Sequence, residues 1–280
     1  MKLASMSFWE RVMYLLQRYG ASFARGAWVT MAIAVVSTAI GCLIGFGVGI
    51  VQTMPTDRKN RPVHWFIMKS VHLLLSAYVE IFRGTPMMVQ AMFIYFGASQ
   101  LFGINMGMWS AAFFIVSINT GAYMAETVRG GILSIDPGQT EGAKAIGMNH
   151  WQTMTNVILP QALRNIMPQI GNNLIINIKD TCVLSVIGVV ELFFTTKGVA
   201  GAMYTYFEAF TITMVAYFVM TFVSSRLLRW WEGKMDGPDS YELYDLSTKD
   251  TLAHTTGLHS YPRKPKTGTQ NLDINNRKGH

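Results

Sequence analysis

The stretch EGAKAIGMNHWQTMTNVILP, from Glu141 to Pro160, lies in a polar segment between two hydrophobic halves of the chain. It opens with alanine and glycine in a helix-forming run. Gly147 then interrupts that run, as glycine commonly does at a helix C-terminus. Apolar residues recur at helical spacing over residues 150–158, and Leu159-Pro160 is expected to end this second helix because proline lacks the N–H that the helix ladder needs. The stretch therefore predicts two short helices joined by a glycine elbow.

The composition excludes an ordinary soluble domain. Half of the residues are hydrophobic and only 14% are charged, against about 25% in soluble domains. No charged residue falls between Arg25 and Asp57, between Arg83 and Glu126, or between Glu208 and Arg226. A hydrocarbon core of about 30 Å needs about 20 apolar residues as helix, and these runs are long enough to cross it. The chain is therefore predicted to be an all-α membrane protein.

The charge and the cysteines exclude two other classes of function. The formal net charge of +7 does not indicate nucleic-acid binding, because the basic residues flank apolar runs, as they do on the cytoplasmic side of membrane proteins. Cys42 and Cys182 lie far apart in apolar runs, without a CxxC or Cys/His cluster, so no metal site is predicted. Glu10, Arg11 and Arg18 interrupt the apolar core that a signal peptide would need.

Five membrane-spanning helices are predicted along the chain. Residues 1–24 are amphipathic and are predicted to form a helix in the membrane interface. The predicted membrane domain covers residues 25–232, and the polar segment 233–280 is predicted to be a mobile tail. The five predicted spans are 27–51, 86–102 with a leading helix at 65–82, 108–127, 166–196 and 209–225, and residues 197–208 are predicted to be external.

Two features inside these segments predict packing. The first span carries glycines at four-residue spacing, which either let another helix approach closely or are tolerated in lipid. These glycines are Gly41, Gly45 and Gly49. The sequence Arg83-Gly84-Thr85-Pro86 predicts a helix break, because proline lacks an N–H and disfavours helix at the residue before it. Unpaired backbone at membrane depth is tolerated only beside protein or a water-filled cavity, so the break is expected beside the translocation path or the seam between two permeases, and not beside lipid.

The central stretch resembles the EAA loop of ABC importer permeases. That loop reads Glu-Ala-Ala, three residues, Gly, nine residues and Ile-x-Leu-Pro, and here Gly142 and Val157 replace the middle alanine and the isoleucine. Three more stretches match the branch that imports polar amino acids, namely the histidine, glutamate, glutamine, arginine and opine group. They are EIFRGTPMMVQ at 80–90, YMAETVRGG at 123–131 and KDTCVLSVIG at 179–188, and the resemblance covers about residues 25–232.

The resemblance implies the type I ABC importer permease fold and a place in a larger complex. The expected partners are two cytoplasmic ATP-binding subunits, a second permease that is identical or related, an external amino acid-binding protein and the lipid bilayer, with no nucleic acid. The chain is expected to be no enzyme and to hold no cofactor. Since it contains no GxxxxGK[ST], ATP and Mg²⁺ are expected in the partner subunit.

The resemblance also implies a location and an orientation. A multi-pass protein of the bacterial inner membrane is expected, with the EAA loop and the C-terminus in the cytoplasm. Five spans then place the N-terminus outside. The positive-inside rule does not support this orientation throughout. The loop at 54–65 contains Arg58, Lys59 and Arg61, as a cytoplasmic loop should. However, four basic residues precede the first span, and this orientation places them on the outer side.

The EAA loop, residues 137–165, is implied to couple the permease to the ATPase. Glu141 is expected either to cap the first short helix or to contact the ATPase, and Gly147 is interpreted as geometric, because a side chain would block the elbow. Met148, Asn149 and His150 are expected at the tip. The full set of predicted coupling residues is Glu141, Gly142, Ala143, Gly147, Met148, Asn149, His150, Leu159 and Pro160.

Six residues are candidates for the substrate path: Arg83, Thr85, Asn119, Glu126, Lys179 and Asp180. Ionisable residues in or near membrane spans are costly and by default mark function or pairing. Here they are expected either to bind the α-amino and α-carboxylate groups of a substrate or to form ion pairs. Glu126 and Arg129 are three residues apart and can pair, and Arg83 can pair with Glu80. Glu191 is expected near the outer end of the fourth span.

Two other classes of function are weighed against the importer. A secondary transporter or channel for a small polar solute usually carries internal repeats, and none is evident between the halves of this chain. An intramembrane enzyme needs a nucleophile–base pair or metal ligands within the spans, and the six histidines do not supply one. Co-purification of an ATPase subunit separates the importer from both.

Overall fold

The computed structural model describes residues 6–54 and 62–235, and these residues form helices without a strand. The helices are α1 (Phe8–Thr53), α2 (Pro62–Gly84), α3 (Met87–Phe102), α4 (Met108–Leu133), α5 (Pro137–Ala145), α6 (His150–Thr153), α7 (Leu159–Asp180), α8 (Leu192–Met203) and α9 (Tyr206–Met235). A π-helical turn, Met154–Ile158, joins α6 to α7, and a 3-10 segment, Thr181–Ile187, follows α7.

The chain divides into two units, Met1–Gly237 and Pro238–His280. The second unit lies outside the described residues, and so does most of the predicted tail, because α9 runs through Met235. Residues 55–61, which hold most of the predicted basic loop, also lie outside them.

Helix α1 is continuous across the predicted boundary at residue 24. Its N-terminus is closed by a capping box, in which the Ser7 N–H donates to Glu10 and the Glu10 N–H donates to Ser7 Oγ. Its 46 residues extend over about 69 Å, more than twice the hydrocarbon thickness of about 30 Å. The interfacial helix and the first span predicted as two segments are therefore one helix.

The first half of α1 packs against α8 and α9. Leu15 is fully buried and Phe23 nearly so, in a cluster with Leu192 of α8 and Ala209 of α9. Arg11 Nε lies 3.0 Å from Glu208 Oε1 in an ion pair between α1 and α9. The apolar face that the sequence assigns to the membrane interface is thus used inside the protein.

The glycines of α1 lie against α4, which confirms the close-approach interpretation. A Cβ on Gly41 would fall 2.6 Å from Thr120 Cβ, and one on Gly49 would fall 2.7 Å from Val128 Cβ. The pairs follow the same order on both helices: Gly41 faces Thr120, Gly45 faces Met124 and Gly49 faces Val128. The two helices are therefore parallel, and the end of α4 that leads into α5 lies beside the C-terminal end of α1.

A buried polar contact joins α1, α4 and α7. Asn177 Nδ2 donates to Thr38 Oγ1 at 2.7 Å and to Thr120 Oγ1 at 2.9 Å. All three residues are buried. Because an unpaired buried amide costs about 1–3 kcal/mol, these bonds fix the register of the three helices.

In the region predicted as the fourth span and the external segment after it, the structure has a break at Gly188. Gly188 has a φ of +88° and separates the 3-10 segment from α8, and the helices on either side are bent by 56°. Residues 197–203 are helical and Glu208 belongs to α9, so most of the segment at 197–208 is helical, and its external position stays a prediction. Glu191 starts α8 by accepting hydrogen bonds from the Phe193 and Phe194 N–H groups at 2.8 and 2.6 Å.

Glu191 is fully buried rather than exposed at the outer end of a span. Its carboxylate also accepts a hydrogen bond from the Tyr217 hydroxyl at 3.1 Å, and Thr30 lies at 3.5 Å. One acidic side chain therefore ties α8 to α1 and α9.

Three described helices are long and apolar enough to cross a membrane: Phe8–Thr53, Trp65–Gly84 and Tyr206–Lys234. The number rises to four if His150–Ile187 and Leu192–Met203 form one bent span. Helix α3 is apolar but shorter, and α4 is largely buried within the protein and carries buried polar residues such as Asn119 and Thr120. The count of five spans stays a prediction.

Candidate coupling loop and substrate path

Helix α5 is started by Asp136, whose Oδ1 accepts a hydrogen bond from the Gly138 N–H at 2.6 Å. Pro137 occupies the first turn, where a missing N–H is harmless. Glu141 lies in the middle of this helix, is exposed, and has no hydrogen bond or ion pair with another described residue. The capping role considered for Glu141 is therefore wrong.

The elbow after α5 is a Schellman motif centred on Gly147. The Met148 N–H donates to the Ala143 carbonyl and the Gly147 N–H to the Lys144 carbonyl, both at 3.0 Å. Gly147 has a φ of +84°, and a Cβ built on it would meet nothing within 4 Å. The glycine is required for its backbone conformation, and not, as the sequence suggested, because a side chain would block the elbow.

The second helix of the loop continues where the sequence predicts a stop. Asn149 and Gln152 form a reciprocal capping box with two bonds of 2.9 Å. The π-helical turn then leads into α7, which has Pro160 in its first turn. Because the turn ends just before Leu159-Pro160, the proline falls where its missing N–H is tolerated, and the helix runs on to Asp180.

The base of the loop is buried and its tip is exposed. Met154 and Ile158 of the π-helical turn pack with Val128 and Ile132 of α4. Ala143 is buried, Met148 and Leu159 are half-buried, and Glu141, Gly142, Gly147, Asn149, His150 and Pro160 are exposed. The loop is thus attached rigidly to α4 and presents a polar tip.

Two exposed apolar residues at this tip were missed by the sequence reasoning. Ile146 is 78% exposed and Trp151 is 68% exposed, on either side of the elbow. They add apolar surface to the otherwise polar tip of the loop. The helical spacing of the apolar residues over 150–158 does not distinguish Trp151 from Met154 and Ile158, which are buried against α4 while Trp151 is exposed.

The predicted helix break lies between α2 and α3, and the Gln90 side chain supplies hydrogen bonds to the carbonyls that the break leaves free. Gln90 Nε2 donates to the carbonyls of Phe82 and Thr85, both at 2.9 Å, which the break leaves without helical partners. Asn119 Nδ2 on α4 donates to Gln90 Oε1 at 2.9 Å and to the Phe82 carbonyl at 3.2 Å. The carbonyls freed by the break are thus paired within the protein, while residues 83–86 are themselves exposed, and the location of the break beside the translocation path or the permease seam stays a prediction.

Gln90 was not singled out from the sequence, although it closes the quoted motif. A glutamine four residues after Pro86, in an otherwise apolar helix, is the signal that could have found it. Its amide offers two donors and one acceptor, which is what a proline break and a neighbouring asparagine require.

We expect Gln90→Leu to destabilise the protein by about 1–3 kcal/mol, because it leaves the Thr85 carbonyl without this donor and removes the acceptor of Asn119. Gln100→Leu, an exposed change on the same helix, should stay within about 0.5 kcal/mol. Thermal unfolding of the purified protein measures both. Equal unfolding temperatures for the two variants would contradict a structural role for Gln90.

Arg83 pairs with Glu126 rather than with Glu80. Arg83 Nη1 lies 2.7 Å from Glu126 Oε2, and the guanidinium stands 5.6 Å from the Tyr123 ring centroid. Arg129 Nη2 lies 3.1 Å from the other oxygen of Glu126, which is the i,i+3 pair expected from the sequence. Glu126 is therefore bound by two arginines, and the predicted ion pair between Arg83 and Glu80 is wrong.

One cavity, here called the amide cavity, has a volume of about 260 Å³. It brings together three of the six predicted path residues, Thr85, Asn119 and Asp180. The other lining residues come from the break before α3 and from helices α3, α4 and α7. They are Pro86, Met87, Thr120, Tyr123, Asn173, Ile176 and Asn177. Lys179 is exposed and does not line this cavity.

The second cavity, here the charged cavity, has a volume of about 270 Å³. It is lined by Gln52, His72, Ser76, Val79, Glu80, Glu126 and Arg129, from the ends of α1, α2 and α4. The predicted path residue Glu126 therefore belongs to this cavity, and Arg83, its ion-pair partner, lines neither.

A comparison with protein families matches residues 66–237 to the binding-protein-dependent transport system inner membrane component. The match covers more than half of the 280 residues. The chain belongs to this family. It is accordingly a multi-pass permease of the inner membrane and not an enzyme, and membership implies an ATPase and a binding protein as partners.

Curated relatives of this permease transport amino acids. It is 37% identical to the glutamine transport system permease protein GlnP of Escherichia coli (strain K12) over 211 residues, which are 75% of this chain and 91% of the relative. It is 34% identical to the arginine transport system permease protein ArtQ of Bacillus subtilis (strain 168) over 214 residues, which are 76% and 92% of the two chains.

A solved structure agrees with the fold of this permease. An amino acid ABC transporter crystallised with histidines superposes with a TM-score of 0.71 at 34% identity, and the match covers 82% of this chain and 99% of that one. The type I ABC importer permease fold expected from the resemblance is confirmed. The family assignment and the function as an amino acid importer permease are confirmed with it.

Proposed function

We propose that this permease forms half of the translocation path of an ATP-driven importer for a polar amino acid and that the amide cavity is where the cargo binds. The amide cavity carries this proposal, because it lies at a helix break inside a fold shared with amino acid importers. Its volume of about 260 Å³ is just below the roughly 300–1,000 Å³ of pockets for drug-sized ligands, which suits one small solute.

The amide cavity is rich in hydrogen-bond acceptors. The Nδ2 groups of Asn119 and Asn173 are engaged within the protein, while their Oδ1 atoms have no partner among the described residues. Asp180 is exposed and likewise has no ion pair there. Two amide oxygens and a carboxylate favour a ligand with an ammonium group, as every α-amino acid has.

The partners and orientation follow from the coupling loop. We assign the surface of Glu141, Gly142, Ile146, Asn149, His150 and Trp151 to an ATP-binding subunit that holds ATP and Mg²⁺, with two such subunits, a second permease and an external binding protein in the complex. Helix α4 leads into α5 and runs parallel to α1. A cytoplasmic coupling loop therefore puts the N-terminal end of α1 outside, while the tail after α9 is cytoplasmic.

Uptake by the assembled complex tests this function. The permease is purified with its co-expressed partners, placed in liposomes with ATP on the coupling-loop side, and given labelled glutamine, glutamate, arginine, histidine or nopaline with the binding protein. We expect ATP-dependent uptake of at least one of these and none of leucine. Uptake that continues without ATP and follows an ion gradient would instead indicate a secondary transporter.

A further inference from the structure

The two cavities lie one after the other along α4. Asn119, Thr120 and Tyr123 line the amide cavity, while Glu126 and Arg129, further toward the coupling loop, line the charged cavity. Tyr123 and Glu126 are separated by about 4.5 Å along the helix axis. The two sets of lining residues have no member in common, so the cavities are distinct and the charged cavity is the nearer to the coupling loop.

Arg83 connects the linings of the two cavities. Its guanidinium stands against the ring of Tyr123, which lines the amide cavity, and binds Glu126, which lines the charged cavity, across the space between α2 and α4. About 40% of the Arg83 side chain is exposed, so this ion pair is open to solvent and can exchange partners.

In the charged cavity, the Glu80 carboxylate has no ion-pair partner among the described residues. Glu126 is bound by two arginines, whereas Glu80 has no hydrogen bond or ion pair with another described residue. Arg129 uses one N–H on Glu126 and offers further donors of its planar fork. The cavity thus presents a free acid on α2 and an available guanidinium on α4.

We propose that the charged cavity is a second cargo station, which holds the zwitterionic head group of an α-amino acid between the amide cavity and the cytoplasm. Glu80 binds the α-ammonium group and Arg129 the α-carboxylate. Because these contacts use only the head group, this station accepts any α-amino acid that passes the amide cavity. The inference rests on the proposed function, since it needs an amino acid as cargo.

Protection of a cysteine at position 76 from chemical labelling tests this station, because Ser76 lines the charged cavity and its replacement leaves Glu80 and Arg129 intact. Ser76→Cys is introduced into a complex whose permease carries Cys42→Ala and Cys182→Ala, and the rate of labelling by a charged methanethiosulfonate is measured in lipid nanodiscs. L-glutamine, L-arginine and glycine, which all carry the head group, should each slow labelling, by about tenfold at ten times the dissociation constant. Propionamide, a side-chain amide without a head group, should not.

A second variant separates the two stations. Asp180→Asn in the same background removes a carboxylate of the amide cavity, and protection of position 76 by glycine should persist. Loss of protection on Asp180→Asn would show that position 76 only senses occupation of the amide cavity, and absence of protection in the parent background would show that no amino acid binds in the charged cavity. Either result would overturn the proposal. If Ser76→Cys does not assemble with the ATPase, Gln52→Cys, which lines the same cavity, takes its place.

The matched control and the parent assay keep the two proposals apart. Ser110→Cys, an exposed serine in the first turn of α4 that lines neither cavity, should show no protection by any of the probes. ATP-driven uptake by the parent complex together with an unprotected position 76 would remove the second station alone. Absence of uptake for every amino acid tested would remove the proposed function itself.

Discussion

We expect Gly45→Ala to destabilise the permease by about 3 kcal/mol, the upper part of the range for overpacked cores. A Cβ at position 45 would overlap the Cβ of Met124, and it would also lie 2.8 Å from the Met124 carbonyl carbon and 2.9 Å from the Ala125 nitrogen. The backbone of α4 cannot rotate away as a side chain can, so α1 and α4 must separate.

The experiment compares two glycines of the same helix. Gly47 lies two residues from Gly45 and is exposed, and a Cβ there would meet nothing within 4 Å. Gly47→Ala should therefore stabilise α1 by about 0.5–1 kcal/mol through its helix propensity. Thermal unfolding of the purified protein should show a fall of roughly 6–12 °C for Gly45→Ala and a small rise for Gly47→Ala.

A displaced α4 should also affect the complex. The coupling loop is attached to α4 through Val128 and Ile132, so Gly45→Ala should reduce the amount of ATPase that co-purifies with the permease. An unchanged unfolding temperature together with normal co-purification would show that α1 and α4 are not packed as described.

The spacing of these glycines predicted a close helix contact, but it did not name the partner. Glycines at four-residue intervals form a smooth groove, which any small-faced helix can enter. The choice of α4, in a parallel direction, depends on residues such as Thr120 and Val128 that carry no pattern of their own. Local periodicity therefore predicted the surface, and only the tertiary structure gave the pair.

For the same reason, the sequence did not predict the ion-pair partner of Arg83. Sequence separation favours Glu80, one turn earlier on the same helix, as the nearest carboxylate. In the folded protein the helix break brings Arg83 to α4, where Glu126 lies 43 residues away in sequence. Contacts across helices depend on the register between them, which the amphipathic pattern of one helix cannot specify.

Glu191 shows why the fourth predicted span is not one continuous helix. An acidic residue beside an apolar run is most simply interpreted as the membrane boundary. Here its carboxylate accepts hydrogen bonds inside the protein from two N–H groups of α8 and from Tyr217, so a new helix begins at Leu192, within the predicted span 166–196. The composition determined the fold class, whereas buried hydrogen bonds of this kind determined the helix boundaries.

Gly147→Leu is expected to abolish most ATP-driven uptake while the permease still inserts into the membrane. The φ of +84° at this position costs a residue with a Cβ about 1–2 kcal/mol, and leucine must either bear that strain or leave the Schellman motif. A penalty of that size shifts the population of the elbow about 5–30-fold. Because the base of the loop remains packed on α4, the change should act on the tip alone.

Gly147→Asn distinguishes the conformation of the backbone from the size of the side chain. Asparagine adopts the left-handed conformation more readily than other residues with a Cβ, and the open space around position 147 accommodates its side chain. We therefore expect Gly147→Asn to keep most of the uptake that Gly147→Leu loses, with equal amounts of both permeases in the membrane. ATP hydrolysis that persists without uptake in Gly147→Leu would identify the defect as one of coupling, since the ATPase subunits would then be assembled and active but unable to move the helices through the loop. Normal uptake by a fully assembled Gly147→Leu complex would exclude the elbow from the coupling mechanism.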